Sequence, residues 1–293
     1  MTLRYAPAVV SLPAALARTG DRPSRVPTAL GPYVALAAAG FRRWSTYRQA
    51  AAAGVFTNTV FGVIKLSILL AVAESAGGTV AGYDAASLST YTWVSQGLIA
   101  FVMIFSWTEL ADRVRTGDIA VDLARPVDLQ LAWLAADLGR AAWALLSRAM
   151  VPLAFGAVVY GLYVPSDPTA LALLPLSLLL AVVVSFGCRF AVNLTSFWLV
   201  EIRGVAMLYV LTSGVLGGHL VPVHFFPDWL QAVAYATPFP SMVQTPVDLV
   251  TGQATGLEAA GLVLAQVTWA AGALLLGRVV RVRATRKLVL QGG

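Results

Sequence analysis

The sequence predicts an all-α, polytopic membrane protein, and three observations carry that prediction. Hydrophobic residues make up 58% of the 293-residue chain and charged residues only 12%, where soluble domains carry about 25% charge. Six apolar stretches approach or exceed the roughly 20 residues that a helix needs to cross a bilayer. The bases are confined to alternate connections between those stretches, the pattern that orients membrane helices. Spans and short loops use up the length, so no soluble domain of ordinary size fits within it. The net charge of +6 sits at the membrane borders and is no sign of nucleic-acid binding. The single cysteine, Cys188, falls in an apolar run and reads as a small buried residue.

In chain order, residues 1–31 carry Pro and Arg without a hydrophobic period and are expected to form a disordered cytoplasmic tail. Their apolar string AVVSLPAALA is short and broken by Pro13, so a cleavable signal is not expected. A membrane domain is expected over 32–280 and a basic cytoplasmic tail over 281–293. At its start, Tyr33, Leu36, Gly40, Phe41, Trp44 and Tyr47 recur at helical spacing beside Arg42, Arg43 and Arg48. This predicts an amphipathic helix over 32–50, lying in the inner interface. Spans are expected near Ala51–Ala73, Tyr91–Leu110, Ala141–Tyr163, Leu171–Val200, Val205–Leu220 and Leu257–Val280. With the N-terminus inside, seventeen of the twenty Lys and Arg residues fall on the cytoplasmic side. Lys65, Arg148 and Arg189 lie within spans, and the three outer segments hold no base. That asymmetry predicts six spans with both termini inside.

Ala111 to Arg140, ADRVRTGDIAVDLARPVDLQLAWLAADLGR, is the long charged interruption. With Glu109 it carries ten charged residues, a density that hydrocarbon does not hold. Thr116-Gly117-Asp118 signals a turn, and Arg125-Pro126 a break before a new helix, with Pro126 suited to the first position and Asp128 to the first turn. Leu131, Trp133, Leu134 and Leu138 give that helix an apolar side. Two readings stand: a docking surface for a soluble partner, or a connector whose helix rests on lipid. On the outer side, Val221 to Val250 holds five prolines among aromatics. It is too broken to span and too apolar for an exposed loop. Two short helices, near Asp228–Ala236 and Ser241–Val250, are expected as a re-entrant hairpin buried in protein.

Several chemistries are absent from the sequence. The lysines, Lys65 and Lys287, are each followed by Leu, so no GxxxxGK[ST] phosphate loop exists. His219 and His224 lack metal-ligand spacing and read as outer-loop histidines. No nucleophile motif is found, and neither a catalytic nor a metal-binding residue is assigned. Polar residues inside spans are the remaining signals. Asn58, Gly62 and Lys65 share one face of the first span. They face a cavity or a partner subunit, or else Lys65 pairs with an acid or snorkels outward. Arg148 and Arg189 read as helix-packing or headgroup contacts, and Gln266 with Trp269 as packing.

Five strings in order, on this topology, resemble a known group: GDIAVDLARPVD (Gly117 to Asp128), SFWLVEIRG (Ser196 to Gly204), HLVPVHFFPDWL (His219 to Leu230), TPFPSMVQTPVDLVTG (Thr237 to Gly252) and RATRKLVLQGG (Arg283 to Gly293). Together they resemble the type-2 permeases of bacterial ATP-binding cassette exporters, in the drug and antibiotic exporter group, from about Tyr33 onward. The resemblance implies a multi-pass subunit of the bacterial plasma membrane that exports a lipophilic or amphipathic compound. It implies that Gly117, Asp118, Asp122, Arg125, Pro126 and Asp128 dock a soluble ATPase, present in two copies, which holds the ATP and Mg. This chain would bind no cofactor itself. A second permease chain, identical or homologous, would complete a path to which Asn58, Lys65, Thr212 and Ser213 contribute. Pro222, Phe226, Pro227, Trp229, Pro238 and Phe239 would form the outer gate. The alternatives are a secondary transporter or channel not driven by ATP, and a membrane anchor or assembly factor. Against the former, no acid falls clearly at mid-membrane and no internal repeat is visible.

Overall fold

The computed structural model describes residues 30–105, 107–199 and 201–286. The expected tails, 1–31 and 281–293, lie largely outside these residues. Helix covers 79% of what is described and no strand occurs there, so the class is all-α. In order the helices are α1 (Gly31–Ser45), α2 (Arg48–Ser75), α3 (Ala85–Val102), α4 (Glu109–Thr116), α5 (Ile119–Leu123), α6 (Leu129–Ala144), α7 (Met150–Val159), α8 (Pro168–Leu194), α9 (Arg203–Leu216), α10 (Asp228–Tyr235), α11 (Gln244–Thr251) and α12 (Gly256–Thr285). A π turn, Leu145–Ala149, joins α6 to α7 as one long rod.

Four helical stretches are long and apolar enough to cross a membrane: Arg48–Ser75, Leu129–Val159, Pro168–Phe197 and Gly256–Thr285. The other two expected spans differ from these. α9 has 14 residues, a rise of about 21 Å. α3 has 18 residues and is buried along nearly its whole length. It packs against α2, the π turn, α7 and α11, so its Ser89, Thr92, Ser95 and Gln96 meet protein rather than lipid. Enclosure by protein is the condition under which polar side chains sit at membrane depth.

The boundaries shift for identifiable reasons. α3 ends at Val102 rather than running on to Leu110. Met103 turns into the left-handed region at φ 55°, and Arg140 donates to the freed carbonyls of Ala100 (2.6 Å) and Phe101 (2.8 Å). A buried guanidinium thus supplies the C-terminal cap. The charged loop correspondingly closes at Asp128, not Arg140. Asp128 accepts from the Leu131 N–H at 3.0 Å and starts α6, which then continues into the third expected span. Pro126 therefore precedes the helix instead of occupying its first position, and the expected loop helix is the first part of α6.

α1 packs lengthwise on α6, with Leu36 buried against Ala132 and Ala135. Gly40 and Gly139 interlock: a Cβ on Gly40 would overlap the Ala136 carbonyl, and one on Gly139 the Ala37 carbonyl. On the opposite side of the molecule, Asp167 caps α8 through the N–H groups of Thr169 (3.1 Å) and Ala170 (3.3 Å). It also accepts from Gly256 at 2.7 Å, fixing the start of α12 beside that of α8. The bond from Gly256, followed by those from Thr169 and Ala170, holds its carboxyl below the usual range.

Candidate functional site

The charged loop is built from the inside out. Leu110 and Ile119 are fully buried with Leu129, Trp133, Phe186, Phe190 and Leu194, so the apolar sides of α4 and α5 grip α6 and α8. Gly117 makes the tip possible, because the turn between α4 and α5 needs φ 84°, a conformation that costs glycine little. Asn193 of α8 clamps the entry to the loop, donating to the Trp107 carbonyl (2.7 Å) and accepting from the Ala111 N–H (3.1 Å). Beneath it, buried Asp137 accepts from Arg140 Nε (2.6 Å) and Arg189 Nη2 (2.7 Å). Arg189 is 1% exposed and also bonds Ser185 and Met103. Its role is helix packing, one of the two expected for it.

The six residues assigned to docking divide into two groups. Gly117, Asp118 and Pro126 are exposed, together with Val121, which is 52% exposed and was not among the residues expected at the surface. Asp122 and Arg125 turn inward: Asp122 accepts from Arg113 Nε at 2.6 Å and lies 3.2 Å from Arg125 Nη1. Asp128 pairs with Arg281 (3.1 Å) and Arg278 (3.6 Å) of α12. These three residues brace the loop and do not form its outer surface. Glu109 ties the same loop to α1 through both oxygens, each 2.9 Å from Arg43 Nη1.

On α2, Asn58 is buried and donates to the Gln96 carbonyl at 3.2 Å, and Gly62 lies against Trp93. Lys65 has no acidic partner among the described residues. Its ammonium donates to Ser95 Oγ (2.9 Å) and to the His219 carbonyl (2.6 Å) and sits 4.2 Å from the centre of the Tyr91 ring. Of the alternatives left open for Lys65, pairing with an acid is therefore not met among the described residues. Thr212 and Ser213 of α9 turn their hydroxyls back onto their own helix, to Leu208 (2.7 Å) and Val210 (3.3 Å). No hydrogen bond connects them to Asn58 or Lys65.

The segment expected to be the outer hairpin holds two short helices, within a few residues of the expected bounds. Its halves differ: α11 is buried, while α10 exposes Trp229 and Val233. Of the residues expected at a gate, Pro222 is buried, Phe226, Pro238 and Phe239 are half-buried, and Pro227 and Trp229 are exposed. Phe239 meets Tyr209 of α9 edge-on. A polar cluster lies behind them that the sequence reading did not assemble. Gln244 accepts from the Val223 N–H (2.9 Å) and donates to Asp248 (2.6 Å), which also receives Tyr83 OH (3.3 Å) and lies 3.1 Å from His224 Nε2. Tyr91 OH donates to the Gly218 carbonyl at 2.9 Å. The Gln244 and Asp248 spacing of four was the available signal. His219 is buried and His224 half-buried. Burial, then the Lys65 charge, pushes His219 down to about 3. For His224 burial opposes protonation, yet the hydrogen bond and charge of Asp248 raise it above the ordinary range.

Long apolar helices around a polar, protein-enclosed α3, with a braced charged loop at one end, define a multi-helix membrane protein of permease build. The chain belongs to the ABC-2 transporter family: the family described as "ABC-2 family transporter protein" matches residues 61–291. It is thus a permease subunit of the ABC-2 type, a kind of subunit that is typically non-catalytic and generally partnered by an ATPase. No curated protein matches the chain.

Proposed function

We propose that this permease exports a lipophilic or amphipathic compound, of the drug, antibiotic or lipid-like kind, from the cytoplasm or inner leaflet, driven by ATP. In this reading α3 and α9 complete six spans in a bacterial plasma membrane, with both termini inside. A soluble ATPase in two copies holds the ATP and Mg, and a second permease chain, identical or homologous, completes the path.

One observation carries the reading. The tip from Gly117 to Ala124 is exposed at Gly117, Asp118, Val121 and Ala124, while Ile119 is buried against α6 and α8 and Asp122 is paired with Arg113; the loop on either side is tied to α8 by Asn193 at Ala111 and to α12 through Asp128. A push on such a tip moves helices rather than a slack loop. Closure of two ATPases on nucleotide would supply the push, and the hairpin at 221–250 would open in response. The test is Asp118→Arg with Val121→Glu in membranes that also contain the ATPase. Both side chains are exposed, so folding is preserved. Retention of the ATPase should fall roughly tenfold or more, and export with it. Unchanged export would refute docking at this tip. Transport sustained by a proton gradient with no ATPase bound would favour a secondary transporter.

A further inference from the structure

Asp248 of α11 is 1% exposed, and the charge that can compensate it depends on pH. Its Oδ1 receives Gln244 Nε2 at 2.6 Å and Tyr83 OH at 3.3 Å, both neutral donors, and lies 3.1 Å from His224 Nε2. Residues 66–112, 149–188 and 204–277, which supply this end of the molecule, contain no Lys or Arg. Lys65 is bonded instead to Ser95 and the His219 carbonyl and lies over the Tyr91 ring. A buried carboxylate without a paired charge keeps its desolvation cost, so the paired charge here comes from His224. Histidine is the side chain that changes charge between about pH 5 and 8. The His224 side chain is 28% exposed, so its proton exchanges with water at this face.

The pair joins two parts of the hairpin that differ in burial. His224 lies in the short helical turn Val223–Phe225, just before α10, whose Trp229 and Val233 are exposed. Gln231 of α10 donates to the carbonyls of Phe226 (2.8 Å) and His224 (3.4 Å), so α10 and His224 are one unit. Asp248 belongs to α11, which packs on α3 and α8. The Val223 N–H also bonds Gln244 across this join, at 2.9 Å, but that contact does not titrate. Around the imidazole stand Tyr83, with ring centres 5.9 Å apart, and Glu258 of α12, which adds a second negative field. Tyr235 of α10 lies in the field of both acids. None of these supplies positive charge. His219, buried beside Lys65, is the other histidine here, and its protonation acts in the opposite direction.

We propose that His224 and Asp248 form a proton-operated latch on the hairpin. In acid the imidazolium pairs with the carboxylate and holds α10 on α11. As pH rises the imidazole gives its proton to water, the link falls to a neutral hydrogen bond, and α10 is released. That the released hairpin is an outer gate, so that acid outside slows export, rests on the proposed function; the latch itself does not.

Spin labels on Ala232→Cys and Thr255→Cys, both exposed positions, in a Cys188→Ser background read the separation of α10 from the turn after α11 in the full chain. A short distance should dominate at about pH 5.5, and a longer one should gain roughly fivefold by about pH 8, the difference between a charged and a neutral hydrogen bond. His224→Gln and Asp248→Asn should each abolish the tightening in acid. His224→Arg, permanently charged, should keep the short distance at both pH values. A distance that does not shorten in acid, or shortening that survives His224→Gln, would overturn the latch. In inside-out membranes that also contain the ATPase, export into an acid lumen should be slower by a similar factor, and His224→Gln should remove the difference. Export indifferent to lumen pH, in a chain whose distance responds, would refute the gate and leave the latch standing.

Discussion

Asp137→Asn tests the physical core of this account. Asp137 is the one carboxylate between two buried guanidiniums, those of Arg140 and Arg189. The amide keeps the shape and removes the charge, so two cations are left facing each other away from water. Breaking a buried pair in this way costs about 3–5 kcal/mol, because the stranded charge keeps its desolvation penalty and loses its partner. For a chain of this size that corresponds to a fall in melting temperature of roughly 6–20 °C. The assay is thermal unfolding of purified protein in detergent, with Glu201→Gln as the control. The Glu201–Arg203 pair is 53% and 85% exposed, so its loss should cost less than about 1 kcal/mol. Asp137→Leu combined with Arg189→Met removes a charge of each sign and should recover much of the loss. A melting temperature for Asp137→Asn no lower than that of the control would refute the reasoning. It would mean that the triad is hydrated and the α3 terminus is held by something else.

Other outcomes follow from the same contacts. Lys65→Met removes two charge-assisted bonds, about 1.5–3 kcal/mol each, but also a membrane-buried ammonium that costs roughly 2.5–3.5 kcal/mol. Overall stability should change little, while labelling of a cysteine placed at Leu220 should rise as the hairpin loosens; unaltered labelling would deny the Lys65–His219 bond any holding role. The two histidines should oppose each other with pH. His224, raised by Asp248, stabilises the hairpin below about pH 6.5 and loses that contribution as pH rises through its folded value. His219, held at about 3, contributes stability above about pH 6.5 that fades as pH falls. Hydrogen exchange over 221–250 reads the sum, and His224→Gln should leave only the acid-side loss; a profile unmoved by that change counts against the pairing. Gly40→Val should force α1 off α6 at a cost of roughly 1–3 kcal/mol or more, seen as faster proteolysis near Thr46, whereas Gly31→Ala, with open space around it, should be neutral.

The sequence by itself determined the helical membrane class, the hairpin of two short helices and the turn at Gly117. Each of these follows from local quantities: hydropathy over a span, proline density, and the glycine needed for a positive φ. The five strings pointed to the same family that the match over residues 61–291 shows. What only the tertiary structure decided is where the charges go. In the chain, Arg140 looks like a loop residue and Asp122, Arg125 and Asp128 like an exposed docking patch. In space they are spent on the α3 carbonyls, on Arg113 and on α12. Lys65 reads as a lysine that faces a cavity or partner, meets an acid or snorkels outward; it ends between a hydroxyl, a carbonyl and a tyrosine ring contributed by segments as far as 154 positions away. Local pattern reports how much a segment prefers hydrocarbon to water. The partner that satisfies a buried charge is contributed by another helix, and that choice is made only when the helices pack.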